Sequence, residues 1–407
     1  MLRAQLSELR AASNRLRRRP IGALLNTLDR VVANWQLPDF PPRRRAEQQL
    51  PELTGFSAQM IRHGIPLLLQ PLRAENIAAL LQSELGNDDQ HWHAPGLITH
   101  VLSGNLPGLA AVPIVLSLAI RSAALIKPAA GDPLFAELFV ESLRAADGEL
   151  ADCVLVMHWR GGDQSIETVA FGESDVVVAS GSDAAVAAIR SRVHGRFIGH
   201  GHKVSFALIG RECCSAESTA RQLAQRLAYD VTLWDQQGCL SPQLCYLEEG
   251  GQVSAPEFAR LLGAALTALA KDLPPRRLCF DEQAAIQRFR QEAEWTRSSL
   301  ASPDSTDWSL SIEPGAAFLP TCLNRCLRLK VIDDLEELWP ALEPHRQHLE
   351  ATGVAVGPLR RSQIAAQLTA HGVHFVCDLG QMQLPPLSWR QGGRPRVGEW
   401  VYWSTRR

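Results

Sequence analysis

The chain is 407 residues long, 46% apolar and 21% charged, with a formal net charge of -2. That composition buries a core along the whole length, which excludes a disordered chain, and the length suits two domains. The near-neutral balance, with no basic block beyond the N-terminus, argues against a nucleic-acid partner.

The opening MLRAQLSELRAASNRLRRRP lacks the apolar core of a secretory signal and reads as an amphipathic, arginine-rich helix. Helical spacing continues through IGALLNTLDRVVANW and RAENIAALLQSEL, with LPDFPPRRR between them as a proline-punctuated connector. From Leu97 strands and helices alternate. LITHVL, SAALIKP, DCVLVMHW and DVVVAS read as strands, while the stretch after SGNLPG, DPLFAELFVESLRAA and SDAAVAAIRSRV read as helices. KVSFALIG begins a second series, continued by the helix ESTARQLAQRLAYD, the strand QLCYLE and the helices APEFARLLGAALTALAKD and DEQAAIQRFRQEAEW. Farther on, CLRLKVI and VHFVCDLG read as strands around a helix DDLEELWPALEPHRQHL. Apolar strands separated by helices predict an α/β fold with mostly parallel sheets in two lobes.

No apolar run has membrane-spanning length: the longest, from Leu106, carries a proline, ends at Arg121 and falls short of roughly 20 residues. Nine irregularly spaced cysteines suit free thiols in a reducing compartment, so a cytoplasmic protein is expected. Only four lysines occur among 41 basic residues, so each lysine is a candidate for a site that needs a compact charge.

Four segments could carry chemistry. In SGNLPG, Asn105 sits in a glycine-bounded loop after a strand, as a turn former or as an amide donor to a ligand oxygen. In ALIKPAAGDP, Lys127 ends a strand and Pro128 turns the chain away, which places a cation at the rim where parallel sheets bind ligands. In DVVVASGSDAAVAAIR a strand breaks at Gly181, and Ser182 opens a helix whose free N–H groups would suit a phosphate. No Gly-x-Gly-x-x-Gly fingerprint accompanies it, and an ordinary strand-to-helix turn reads the same way. In WDQQGCLSPQ, Cys239 stands on a polar loop, unlike Cys153 or Cys377 within apolar runs.

Taken in order, an asparagine loop, a strand-Lys-Pro, a strand-Gly-Ser-helix and a cysteine loop resemble the aldehyde dehydrogenase superfamily. WDQQGCLSPQ is similar to the cysteine segment of the acyl-CoA reductases of bacterial luminescence systems (the LuxC type), as are SGNLPG and DLGQMQLPPLSWRQGG. The resemblance spans roughly residues 90 to 407 and implies two Rossmann-like lobes with a helical N-terminal region. It divides the chain into a helical region 1–90 attached to the cofactor lobe, a dinucleotide-binding domain 91–202, a catalytic domain 203–375 and a C-terminal segment 376–407. It implies that Cys239 takes the acyl group and that Asn105 holds the oxyanion. It implies further that Lys127 and Pro128 contact the adenosine ribose or its phosphate, with Gly181 and Ser182 by the diphosphate.

Two departures refine these implications. Oxidising relatives carry a water-activating glutamate just before the lysine that opens the catalytic lobe, whereas GRFIGHGHKVS holds no carboxylate. Reduction of an acyl thioester to an aldehyde is therefore expected. Three residues after Lys127, where NAD-preferring relatives often place a glutamate, stands Ala130, so NADPH is expected, with NADH the alternative. The donor would be an acyl-CoA, an acyl-carrier or an acyl-protein thioester, with an acyl-protein synthetase or transferase as a further partner. A homo-oligomer is expected, as is common in the superfamily. His200 and His202, or Cys322 and Cys326, make only partial ligand sets, so no metal is expected. Two other readings remain: a cofactor-independent cysteine acyltransferase or thioesterase, and a non-catalytic scaffold, favoured by Gly238 and Leu240 beside the cysteine.

Overall fold

The computed structural model describes residues 1–86, 91–295, 299–303 and 305–404. In chain order its strands are β1 (Trp92–His93), β2 (Leu97–Val101), β3 (Ala123–Lys127), β4 (Val154–Val156), β5 (Val176–Ser180) and β6 (Arg196–His200). They continue with β7 (Val204–Ile209), β8 (Pro242–Glu248), β9 (Ser299–Ala301), β10 (Ser309–Pro314), β11 (Cys326–Ile332), β12 (Leu349–Ala355), β13 (Phe375–Asp378) and β14 (Tyr402–Trp403). The chain forms two compact units. The first comprises Met1–Thr54, Ile61–His202 and Pro386–Arg407, the second Gly55–Met60 and Lys203–Pro385. Residues 55–60, which the sequence reading keeps with the first 90, thus belong to the second unit, and the tail joins the first unit from Pro386.

The first unit holds a five-stranded parallel sheet in the order β4-β3-β2-β5-β6. Its central strands are continuous apolar runs because both faces are covered. Leu6 and Leu9 of the helix Leu2–Leu16 cover one face, against Leu97, Val101, Leu125 and Val177. In the same unit Trp35 of the helix Ile21–Gln36 stacks on Phe139 and donates its indole N–H to Ser142 Oγ at 2.9 Å. A short antiparallel ribbon pairs β1 with β14.

The second unit holds a seven-stranded sheet, β13-β12-β7-β8-β11-β10-β9, parallel except for β9. Along β7, Val204, Phe206 and Leu208 face one core while Ala207 and Ile209 face the other, the period of two that a strand imposes. The helix Glu217–Thr232 buries Ala220, Leu223, Ala224, Leu227, Ala228 and Val231, spaced by three and four. The helix Ala255–Asp272 begins with a Ser254–Glu257 capping box and buries Phe258, Leu262 and Leu266. Its Gly263 is required by packing, since a Cβ there would come within 2.8 Å of the Trp308 ring.

Several regions differ from the sequence reading, among them β6, β10 and the helix Gln164–Gly172, which it did not contain. The connector expected at 37–45 already contains the helix Pro41–Thr54, because Pro41 and Pro42 occupy a first turn that needs no N–H. The expected helix over DDLEELWPALEPHRQHL breaks into short turns and the five-residue helix Leu338–Leu342, since Pro340 and Pro344 remove donors. Strand β12 and the helix Pro358–Ala370 follow where neither was expected.

In both sheets the chain grows first to one side and then to the other, creating a switch point: between β2 and β5 in the first unit, and between β7 and β12 in the second. At the second switch point the chain's own charges bridge the strand ends. Glu248, at the end of β8, accepts from the Arg211 backbone N–H at 2.9 Å, the Arg211 guanidinium at 3.0 Å and Arg360 at 2.6 Å. Glu212 accepts from Arg360 and from the Gly357 N–H. Burial pushes the Glu248 carboxyl up, but hydrogen bonds from Arg360 and Arg211 outweigh it and bring it down to about 2. Ionised Glu248 therefore stabilises the fold above its unfolded value of 4.5, and the contribution is lost as pH falls through about 2. Glu248→Gln is expected to lower stability at neutral pH by roughly 3 kcal/mol, because two guanidinium groups lose their buried partner. Urea titrations should show the gap from the parent closing as pH falls from 4.5 towards about 2.

Candidate active site

The switch point of the first unit gathers the residues that the sequence singled out there. β3, β2 and β5 are adjacent, and Val101 lies opposite both Lys127 and Ala179, so the three strands end at one level. The loops beyond them carry Asn105, Lys127 with Pro128, and Gly181 with Ser182. The first two loops interlock through glycines. A Cβ at Gly104 would come within 2.7 Å of the Ala129 Cβ, and one at Gly131 within 3.0 Å of the Gly104 carbonyl oxygen. Leu102 N–H donates to the Lys127 carbonyl at 3.0 Å, and Gly108 N–H to Asp132 at 3.2 Å. Within the loop, Ser103 Oγ donates to Asn105 Oδ1 at 2.8 Å.

Lys127 is half-buried and Ala130 is exposed. Burial pulls the Lys127 ammonium below its usual range, and Glu167 opposes that pull. Glu167 is itself buried and paired with Arg192 at 2.6 Å, a carboxylate near Lys127 that sequence spacing did not reveal. At the third loop, Gly181 N–H donates to the His200 carbonyl at 3.1 Å. Ser182 Oγ accepts from Ala185 N–H at 3.2 Å, capping the helix Asp183–Arg190 as its residue type predicts. Asp183 accepts from His202 N–H at 2.8 Å, which fixes the end of the GRFIGHGH segment, itself built around strand β6.

Cys239 belongs to the second unit, on the turn immediately before β8. The helix Glu217–Thr232 ends in an unusual way: Trp234, Asp235 and Gln236 are all left-handed, with φ of 59°, 49° and 61°. A second left-handed triplet, Leu323, Asn324 and Arg325 with φ of 64°, 54° and 61°, locks against it. Asn324 N–H donates to the Asp235 carbonyl at 3.1 Å, and Gln237 Nε2 donates to Asn324 Oδ1 at 3.1 Å. Arg325 Nε donates to the Asp235 carboxylate at 2.5 Å, with both side chains 1% exposed. Arg276 N–H donates to the other Asp235 oxygen at 3.0 Å, and Arg325 also donates to the Leu273 carbonyl at 2.7 Å. Burial pushes the Asp235 carboxyl up, and the Arg325 charge and hydrogen bond oppose it. Each left-handed non-glycine residue costs about 1–2 kcal/mol, so six of them persist only because this network fixes them.

The following residues are held as firmly. Gln236 Nε2 donates to the Pro242 and Cys326 carbonyls at 2.8 and 3.0 Å. The Cys239 carbonyl accepts from Ser205 Oγ at 2.6 Å, and that hydroxyl accepts from Ala351 N–H at 3.0 Å. Ser241 Oγ accepts from Gln383 Nε2 at 2.9 Å, which ties the QMQ tail motif to the cysteine segment. Beneath the turn, the 55–60 excursion supplies Phe56, edge-on to Trp234 at 5.4 Å, and Met60, whose sulfur accepts the Trp234 N–H at 3.3 Å. Cys239 itself is partly exposed, and Leu240 beside it is buried.

Cys213, Cys322 and Cys377 are partly exposed as well and Cys279 is exposed, whereas Cys153, Cys214, Cys245 and Cys326 are buried. Burial pushes the Cys153 thiol up to about 12 and Cys214 up to about 11, and drives Cys245 and Cys377 higher still. All nine are free thiols. Among the described residues, no three His, Cys, Asp or Glu side chains cluster as a metal site, and no helix is long and apolar enough to cross a membrane. The stretch 195–205 lacks a carboxylate, but Lys203 Nζ lies 3.9 Å from the fully buried Glu350.

Two mainly parallel, doubly wound sheets, one with a loop-lined switch point and one preceded by the cysteine turn, make up an aldehyde dehydrogenase-like fold. The fold superposes on an NAD-dependent aldehyde dehydrogenase from Burkholderia multivorans with a TM-score of 0.71, at 15% identity over 98% of this chain and 79% of that one. On an NADP-dependent glyceraldehyde-3-phosphate dehydrogenase from Bacillus halodurans the TM-score is 0.72, at 14% identity over 92% and 81% of the two chains. Residues 16–393 match the acyl-CoA reductase (LuxC) family, and the chain belongs to that family. The match takes in most of the helical N-terminal region that the motifs alone left aside. A long-chain acyl-protein thioester reductase of Aliivibrio fischeri is 25% identical over 381 residues, covering 88% of this chain and 77% of the relative. One of the same description from Vibrio harveyi is 23% identical over 347 residues, covering 80% and 70%.

Asp235→Ala leaves the buried Arg325 charge unpaired and is expected to cost about 3–5 kcal/mol, measured as a fall in the urea midpoint. Adding Arg325→Met to Asp235→Ala should recover part of that loss.

Proposed function

We propose that this chain reduces a long-chain acyl thioester to the aldehyde through an acyl-Cys239 intermediate, with NADPH as reductant. The observation that carries the reading is the Cys239 turn: a partly exposed cysteine that follows three strained, left-handed residues held by a buried ion pair, while Cys153, Cys214 and Cys245 are buried. Such strain is typical of functional sites. Family membership and the names of the relatives support thioester reduction.

The Cys239 sulfur attacks the acyl carbonyl carbon, the carbon–sulfur bond to the donor breaks, and the departing thiolate takes up a proton. The Asn105 amide and the Cys239 backbone N–H donate to the oxygen that becomes negative in that step. The fit of a dinucleotide to the first unit rests on the interlocked loops at its switch point and the helix start beside Gly181. Lys127 and Pro128 would hold the adenosine ribose or its phosphate, and Gly181 and Ser182 would lie by the diphosphate. When bound, the cofactor supplies the reducing equivalents for the acyl carbon. Cys239 then leaves as a thiol and the aldehyde is released.

GRFIGHGHKVS offers no carboxylate to activate water, which favours reduction of the acyl-enzyme over its hydrolysis. NADPH is preferred because Ala130 places no negative charge beside Lys127, and Glu167 is neutralised by Arg192. The donor is read as an acyl-CoA or a protein-borne thioester delivered by a synthetase or transferase, in the cytoplasm, to a homo-oligomer.

The test is NADPH consumption and aldehyde trapping with long-chain acyl-CoA. Cys239→Ala is expected to abolish both reduction and the acyl-protein mass adduct. Thioester cleavage without NADPH consumption would instead identify an acyltransferase or thioesterase. Asn105→Ala should lower kcat by about 100- to 1,000-fold. Ala130→Glu should shift the kcat/KM ratio from NADPH towards NADH.

A further inference from the structure

The left-handed turn that braces the Cys239 loop is bracketed by two cysteines. Cys322 precedes Leu323–Asn324–Arg325, and Cys326 follows it as the first residue of β11. Cys326 belongs to a small apolar cluster against which Cys322 packs, and each thiol shifts the ionisation of the other. Both pack against the small cluster of Ile286, Phe289 and Leu278, and Cys326 N–H donates to the Leu323 carbonyl at 3.0 Å. Cys326 is fully buried and Cys322 partly exposed, so one sulfur is open to a small oxidant and the other waits behind it. Three of the residues they bracket or bound touch the cysteine loop: Asn324 through Asp235 and Gln237, Arg325 through Asp235, and the Cys326 carbonyl through Gln236.

We infer that Cys322 and Cys326 form a modification site, a reversible disulfide made by a peroxide, whose closure moves the Asn324–Arg325 turn and lowers the reactivity of Cys239. The regulatory half of this inference rests on the role proposed for Cys239; the disulfide itself does not. The Cys322 sulfur attacks one peroxide oxygen, an S–O bond forms, the O–O bond breaks, and the departing hydroxide becomes water. The Cys326 sulfur then attacks the oxidised Cys322 sulfur, the S–S bond forms, and the S–O oxygen leaves as a second water with the Cys326 proton. Two thiols are oxidised and one peroxide is reduced. The order of attack follows from the environment. The Cys326 thiol's hydrogen bond pulls Cys322 below its usual range, against the effect of burial and with help from Arg328 and Arg288. Its hydrogen bond to Cys322 and its burial push Cys326 up. The two sulfurs must close to about 2.05 Å, and a turn of three left-handed residues must bend to allow it.

The sequence supplies a direct readout, because Arg325 lies between the two cysteines and Arg328 follows them. The full-length protein is treated with hydrogen peroxide, free thiols are blocked, and it is digested with trypsin without reduction. The tripeptide Cys326–Arg328 should appear joined to the peptide ending at Arg325, lighter by two hydrogen atoms than the separate pair, and dithiothreitol should part them. In Cys326→Ser, with no second thiol, the Cys322 sulfenic acid should persist and be trapped by dimedone. Absence of the joined peptide, or dimedone capture without it in the unaltered chain, overturns the site. Coupling is read from the rate of Cys239 alkylation by iodoacetamide, whether or not the chain reduces thioesters. Peroxide should slow that rate about tenfold in the unaltered chain, reversibly, and not in Cys322→Ser. Equal slowing in Cys322→Ser would mean that peroxide acts on Cys239 directly, and would overturn the coupling while leaving the disulfide in place.

Discussion

Asp235 and Arg325 are 90 residues apart in sequence, and the second unit is arranged around their meeting. Each residue sits in strained, left-handed backbone, and both side chains are almost wholly shielded from solvent. A buried ion pair of this kind is weak evidence for stability, but its several directed hydrogen bonds restrict the backbone to one arrangement. Here the conformation specified is the start of β8. Because Asp235 takes donors from Arg325 and from the Arg276 backbone, three separate segments agree on where the helix Glu217–Thr232 must stop. The cysteine four residues later inherits a position that neither the helix nor the strand alone would define.

What could be read from the sequence, and what could not, follows the range of the interactions. The strands β2, β3, β5, β7 and β8 are apolar runs whose burial needs no partner to be named, so they were legible. The loops with Asn105, Lys127 and Gly181 were legible as strand ends, and the parallel order of β3, β2 and β5 sets them side by side. Strand β12 was not, because LEATGVA mixes Glu350 and Thr352, both fully buried, with a glycine that makes room for Met382. Polar residues inside a sheet look like surface residues until their partners are known. The same holds for Asn324 and Arg325, an ordinary polar pair between two cysteines. Phe56 and Met60 gave no signal either, since their six-residue excursion lies amid helices of the other unit.

The two sheets share one winding pattern yet use their switch points differently. In the first unit, glycines at 104 and 131 allow loop backbones to come together around the strand ends, and the local cation is a lysine. In the second, Arg211, Glu212, Glu248 and Arg360 satisfy one another across the strand ends. The same topology thus ends in a loop-lined rim in one place and in a structural clamp in the other. The difference lies in a handful of residues just past the strands.

The ribbon of β1 with β14 has a consequence for how the molecule is made. Trp92 pairs with Trp403, so the first unit recruits a strand that leaves the ribosome only after the whole second unit has been translated. The Gly55–Met60 excursion imposes the reverse debt, because the Trp234 turn waits on residues synthesised long before it. Neither unit is therefore a contiguous vectorial folding block. During synthesis the nascent chain must keep β1 unpaired and Phe56 uncovered until their distant partners emerge, a period in which holdase protection would have most effect.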